Sequence, residues 1–201
     1  MQDATPAPSL RDGLIEAGIA LLNEGGMAAL TLRRAAARAG VSHAAPAYHF
    51  DGLPGLLTAI AARAFADFSD RMQTARDAAG SDPFGRLTGI CQGYLDFARI
   101  NHGLFHVMFA SPQVMRGDPG LTPHSQRSYL LLREACLPFA PAGAQEDPVL
   151  ETAVWSLVHG YATLGFSSLP RERQVFGTPP DFSILLHTLV AGRQLPDSAG
   201  R

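Results

Sequence analysis

Two pairs of side chains are spaced so that they could act together: His102 with His106, and Trp155 with His159. Residues four apart share one face of a helix, so each pair would present its groups side by side. Two imidazoles at that spacing are half of a zinc site, but no carboxylate or thiol cluster in the sequence completes it. Cys91 and Cys136 stand far apart with no C-x-x-C. That spacing excludes a zinc finger and a disulfide framework, and predicts two buried thiols. GxSxG, GxGxxG, P-loop and HExxH signatures are all absent, so no catalytic residue, metal or cofactor is expected. A third group has a different character. The stretch GVSHAAPAYHF, residues 40–50, carries His43, Tyr48 and His49 on a short segment. Side chains of these types suit contacts in a DNA groove better than bond-breaking chemistry.

The elements that must position these groups are helices. The chain of 201 residues has 31 Ala and 25 Leu against 8 Val and 6 Ile. β-Branched side chains lose rotamer freedom in a helix and favour sheets, so this balance predicts an all-α fold. No sustained apolar/polar alternation argues for strands. Apolar spacing and punctuation predict helices over 10–23, 32–39, 42–50, 54–79, 83–101, 104–110, 124–137, 149–169 and 182–193. Gly25-Gly26 is expected to end the first. Thr31 is a good N-cap for the second, and Gly40 stops it where a left-handed backbone is wanted. Ser42 is expected to cap the third, and Pro54 suits the first turn of the fourth.

The net charge is −2, and all 16 basic residues are Arg. Bulk charge therefore supplies no nucleic-acid affinity, which has to come from local placement. The N-terminus has no basic and apolar signal segment, and no apolar run approaches the ~18–20 residues that span a bilayer. A soluble, cytoplasmic protein with no membrane partner is expected.

Two helices joined by a short turn with Gly form a helix-turn-helix, here over 31–50, with 10–23 packing behind it. The run LNEGGMAALTLRRAAARAGVSHAAPAYHF resembles the TetR family of bacterial transcriptional regulators. It carries the family's E-x-G, its T-x-R-x-[IVA]-A-x-x-A-G-V-S, and the end of its Y-x-H-F. The resemblance implies an all-helical homodimer. Residues 9–65 would be the DNA-binding head and 66–195 the effector-binding and dimerisation domain. Such a protein would be a repressor that a small effector releases from double-stranded operator DNA. It also implies roles for residues. Ser42 would cap the recognition helix. His43, Ala44 and Ala45 would start its groove-facing edge, and Tyr48 would reach a base or sugar. Thr31 and His49 would meet phosphate, as would Arg33 or Arg34.

The chain departs from the family pattern at two places. Ala47 stands where the family has Tyr, and Leu53 where it has Lys or Arg. Losing two phosphate contacts would flatten the salt dependence by about two units of log–log slope. An all-helical binding protein with weakened operator affinity is the alternative these departures suggest. If Ser42 is the cap, Pro46 is the fourth helical residue, tolerated by a tight 3₁₀-like first turn.

In the C-terminal half, W-x3-H-G at 155–160 resembles one subfamily of TetR regulators. A packed Trp with a hydrogen-bonded core His is the plain expectation, and ligand contact the sharper one. Gly160 and Gly165 would let a symmetry mate cross closely, with 182–193 completing a four-helix dimer interface. Phe105, Met108 and Phe109, with Met115, Trp155 and His159, are the candidate lining of a soft apolar pocket.

Overall fold

A computed structural model describes residues 9–165 and 179–191. The described residues contain nine α-helices and no strand: α1 (Leu10–Ala29), α2 (Leu32–Arg38), α3 (Pro46–His49), α4 (Gly52–Ala78), α5 (Pro83–Ile100), α6 (His102–Phe109), α7 (Thr122–Cys136), α8 (Pro148–Thr163) and α9 (Phe182–Ala191). A 3₁₀ turn at Leu137–Phe139 follows α7. The all-α expectation holds. The predicted ends of the last two helices, beyond Gly165 and Ala191, lie outside the described residues, as does the end of the 66–195 segment.

The chain forms two compact units. Among the described residues, one comprises 9–66 together with 101–125; the other comprises 67–100, 126–165 and 179–191. In the first unit α1 packs against α2, α3 and α6. Its core includes Leu14, Leu22, Ala35, Ala36, Leu56, Leu57 and Ile60, all essentially inaccessible to solvent. Alanines in α2 have little bulk, so α2 lies close to α1. Ser9 opens α1 by accepting a hydrogen bond from the Asp12 amide at 3.1 Å. Gly25 and Gly26 do break α1, as their backbone angles leave the helical region. The regular first helix ends at this kink, as expected, and a separate helical turn follows it to Ala29.

In the second unit α5 packs on α8 and α9, and α8 on α9. A Cβ on Gly93 would lie 2.8 Å from both the Met72 Cα and the Arg71 carbonyl oxygen, so only glycine admits this approach to the end of α4. Phe68, Tyr94 and Phe97 fill the space beside it with edge-to-face rings 4.9 and 5.2 Å apart. Both cysteines are buried, as expected.

Candidate nucleic-acid interface

The first unit builds the helix-turn-helix from local rules. Thr31 caps α2, its hydroxyl oxygen accepting the Arg34 amide at 3.1 Å. Gly40, at φ 70°, takes the left-handed position after the helix. Its amide donates to the Ala37 carbonyl at 3.2 Å, and the Val41 amide to that of Ala36 at 3.0 Å. This paired closure satisfies the last carbonyls of α2 and sets the direction in which the chain leaves it. Arg38 then ties α2 to α1 by a two-pronged ion pair with Glu24, 2.7 Å on each prong.

The third element corrects an expectation. The helix predicted over 42–50, capped by Ser42, is a single turn, Pro46–His49, with Ala45 at the cap position and no side-chain cap. Ser42 instead accepts the Ala45 amide through its carbonyl. The cause is Pro46. In a regular helix its ring would collide with the carbonyl four residues back, that of Ser42. The chain avoids this by i→i+3 bonding, Ala47 to Ala44 and Tyr48 to Ala45, each at 3.2 Å. Pro46 therefore occupies the first helical position, where its missing N–H costs nothing. It is buried, as is Phe50, and the two anchor the segment. The 3₁₀-like turn expected around the proline is present.

On either side of Pro46 the segment is exposed. Tyr48 is 86% accessible, and Ser42, His43, Ala44 and His49 are exposed while Ala45 is half-buried. Thr31, Arg33 and Arg34 are exposed as well. Among the described residues neither Arg33 nor Arg34 has an ion-pair partner, so their charges are available to an incoming anion. Arg11, absent from the sequence-based candidates, lays its guanidinium over the Phe50 ring at 5.3 Å and braces the end of α3 from α1. No local pattern links positions 11 and 50.

The candidate effector residues fall in both units. In the first, Met108 is fully buried and Phe105 and Phe109 are half-buried, their rings 4.9 Å apart. Phe109 also meets the edge of Phe65 at 5.4 Å. Met115 is exposed, and its amide donates to the Thr58 hydroxyl at 3.0 Å. In the second, Nδ1 of His159 shares a 2.6 Å hydrogen bond with the Tyr94 hydroxyl. Burial holds the His159 pKa below its usual value, which favours the neutral ring. Trp155 packs edge-on against Tyr94 at 6.4 Å and beside Tyr129 at 6.3 Å. Tyr129 donates to Glu151, whose other oxygen accepts the Asp147 amide at 3.0 Å. Glu151 is only 1% exposed, yet it is explained by these bonds as part of the α8 cap. Sequence inspection missed Tyr94, although it continues the apolar stripe of Leu87, Ile90 and Cys91. His102 and His106 are exposed, and no group of His, Cys, Asp and Glu among the described residues could hold a metal.

A short exposed segment braced by two preceding helices, followed by a second helical unit, defines a helix-turn-helix protein with an all-helical C-terminal domain. Residues 14–64 match the family described as bacterial regulatory proteins, tetR family, and residues 87–188 match the tetracyclin repressor-like C-terminal domain. The chain belongs to the TetR family of transcriptional regulators. A curated relative, the HTH-type transcriptional regulator BetI of Stenotrophomonas maltophilia, is 33% identical over 94 residues, 47% of this chain and 48% of that protein. The chain thus spans about half the length of the curated relatives it matches. Among solved structures, a Rhodococcus protein of unknown function superposes with a TM-score of 0.71 at 22% identity, covering 96% of this chain and 97% of that one. The regulator LfrR of Mycobacterium smegmatis, solved with proflavine, gives 0.59 at 16% identity, covering 92% and 97%. At such identities these structures establish the fold alone. No helix among the described residues is long and apolar enough to cross a membrane.

Proposed function

We propose that the protein is a cytoplasmic, homodimeric repressor that binds operator DNA and is released by a small apolar effector. The observation that carries this is the run of exposed side chains at 42–44 and 47–49, with two arginines on the preceding helix that have no ion pair among the described residues. His43, Ala44, Ala45 and Tyr48 would face base edges in the major groove. Ser42, Thr31, His49, Arg33 and Arg34 would meet phosphates. Each head of the dimer would read half of a near-palindromic site. Phe105, Met108, Phe109 and Met115 in the first unit, and Trp155 and His159 in the second, are the proposed effector-contacting residues, each group within its own unit. The proflavine complex of LfrR supports an aromatic class of ligand. We propose the domain division 9–65 and 66–195 from the family resemblance and the order of the chain, with 101–125 of the second segment packed in the first compact unit.

The test is a mobility shift with DNA flanking the protein's own gene, over a salt series. A shift at low salt that weakens steeply with salt is expected. If no fragment shifts at low salt, the repressor proposal falls. The second reading, a helical ligand-binding protein without operator affinity, then stands. It is favoured by Ala47, an exposed methyl, and Leu53, a half-buried apolar side chain, at positions that supply phosphate contacts in the family.

A further inference from the structure

We propose that a cleft in the first compact unit binds a small zwitterion and that its occupancy acts directly on the DNA-reading segment. The cleft has a volume of about 400 Å³, inside the roughly 300–1,000 Å³ typical of small-molecule sites. Three of its walls each present a base beside an acid. These are Arg11 with Asp12 on α1, His49 with Asp51 at the α3–α4 joint, and His124 with Asp118 on the approach to α7. Ile15, Phe50, Ala59, Ala62 and Met115 add apolar surface between them.

The walls differ in which charges are already used. Asp12 pairs with Arg63 of α4 at 3.2 Å, and Arg63 reaches Glu16 as well. Asp118 accepts the amides of Gly120 and Leu121 at 2.8 and 3.2 Å. The side chains of Asp51, His49 and His124 have no hydrogen bond or ion pair among the described residues; Arg11 lies over the Phe50 ring and is attracted to Asp12 beside it, without an ion pair of its own. What is left for a ligand is one carboxylate, one guanidinium and two imidazoles. A simple anion would confront Asp51, and a simple cation would confront Arg11. Like charges in a partly enclosed site are costly. A ligand bearing both an ammonium and a carboxylate on an apolar body meets every free group.

Occupancy reaches the DNA element without passing through the second unit. His49 and Phe50 close α3, so a ligand carboxylate that takes His49 withdraws it from phosphate. One that takes Arg11 loosens its stack on Phe50. This coupling rests on the operator-binding proposal above, whereas the cleft's chemistry does not.

The test uses the full chain and three probes that share one phenyl body: phenylalanine, 3-phenylpropionate and phenethylamine. Binding is followed by calorimetry and by the histidine ring proton signals. Phenylalanine should bind at least about tenfold tighter than either singly charged analogue, a difference near 1.4 kcal/mol, and shift the His49 and His124 signals. Arg11→Met and Asp51→Asn should each erase that advantage. Equal binding of 3-phenylpropionate, no binding of any probe at millimolar concentration, or phenylalanine binding that survives both substitutions would overturn the proposal. Operator affinity is then measured with and without saturating phenylalanine. Loss of about one phosphate contact per head, a log–log salt slope lower by about 1.8 for the dimer, is expected. An unchanged slope overturns the coupling. A protein that binds no DNA at all refutes the operator-binding proposal and leaves the probe titration to judge the cleft.

Discussion

The sharpest prediction concerns three arginines that look alike in the sequence and differ in the structure. Arg33 and Arg34 are exposed and have no ion-pair partner among the described residues, whereas Arg38 is held by both oxygens of Glu24 at 2.7 Å. If Arg33 and Arg34 each neutralise one phosphate in each head of the proposed dimer, each Ala substitution removes two contacts and lowers the log–log salt slope by about 1.8. Between 50 and 200 mM salt, a fourfold range, the affinity gap between parent and variant should then narrow by about 12-fold. Arg38→Ala should leave the slope alone and instead cost stability. That cost is limited to roughly 0.2–1 kcal/mol because the pair is solvent-exposed. Fluorescence anisotropy on an operator fragment measures the slopes, and urea unfolding measures the stability. Unchanged slopes for Arg33→Ala and Arg34→Ala, or a full unit lost with Arg38→Ala, would refute the assignment of roles.

Three further outcomes follow from particular contacts. Tyr48→Ala should alter base preference, with a loss of about 1–3 kcal/mol confined to preferred sites; a sequence-blind loss in a binding-site selection would assign Tyr48 to the backbone instead. Gly93→Ala should destabilise by about 1–3 kcal/mol through overlap with the α4 backbone. Gly13→Ala, which has open space in α1, should stabilise by up to about 1 kcal/mol. Urea midpoints moving the same way for both would deny the close approach of α5. Because burial lowers the His159 pKa, the folded protein binds this proton less readily than the unfolded chain. Stability should therefore be full above the ordinary histidine pKa and decline as pH falls below about 6.5. His159→Gln should flatten that decline in a thermal melt series, and an identical pH profile would count against it.

Local chemistry was legible in the sequence, and distant contacts were not. Thr31 and Gly40 announce their roles because capping and left-handed backbone depend on neighbours within a few residues. Ser42 misled because the usual capping preference ignores the proline four positions on, which rules out a regular helix there. The Tyr94–His159 bond joins residues 65 apart, and Arg11 meets Phe50 across 39 positions (50 − 11); no periodicity encodes either. The membership of 101–125 in the first unit was also invisible. It depends on α6 crossing α1, where a Cβ on Gly103 would lie 2.7 Å from the Leu22 carbonyl oxygen.

Pro46 and Phe50 bear the structural duty of the third helix, and the side chains between and before them bear almost none. Replacing Ala44, Ala47 or Tyr48 removes no core contact, so such changes leave folding intact. If these side chains read DNA as proposed, the head is a mount on which recognition can be rewritten. A library varying only these exposed positions, with both anchors kept, should then yield folded proteins with altered site preference.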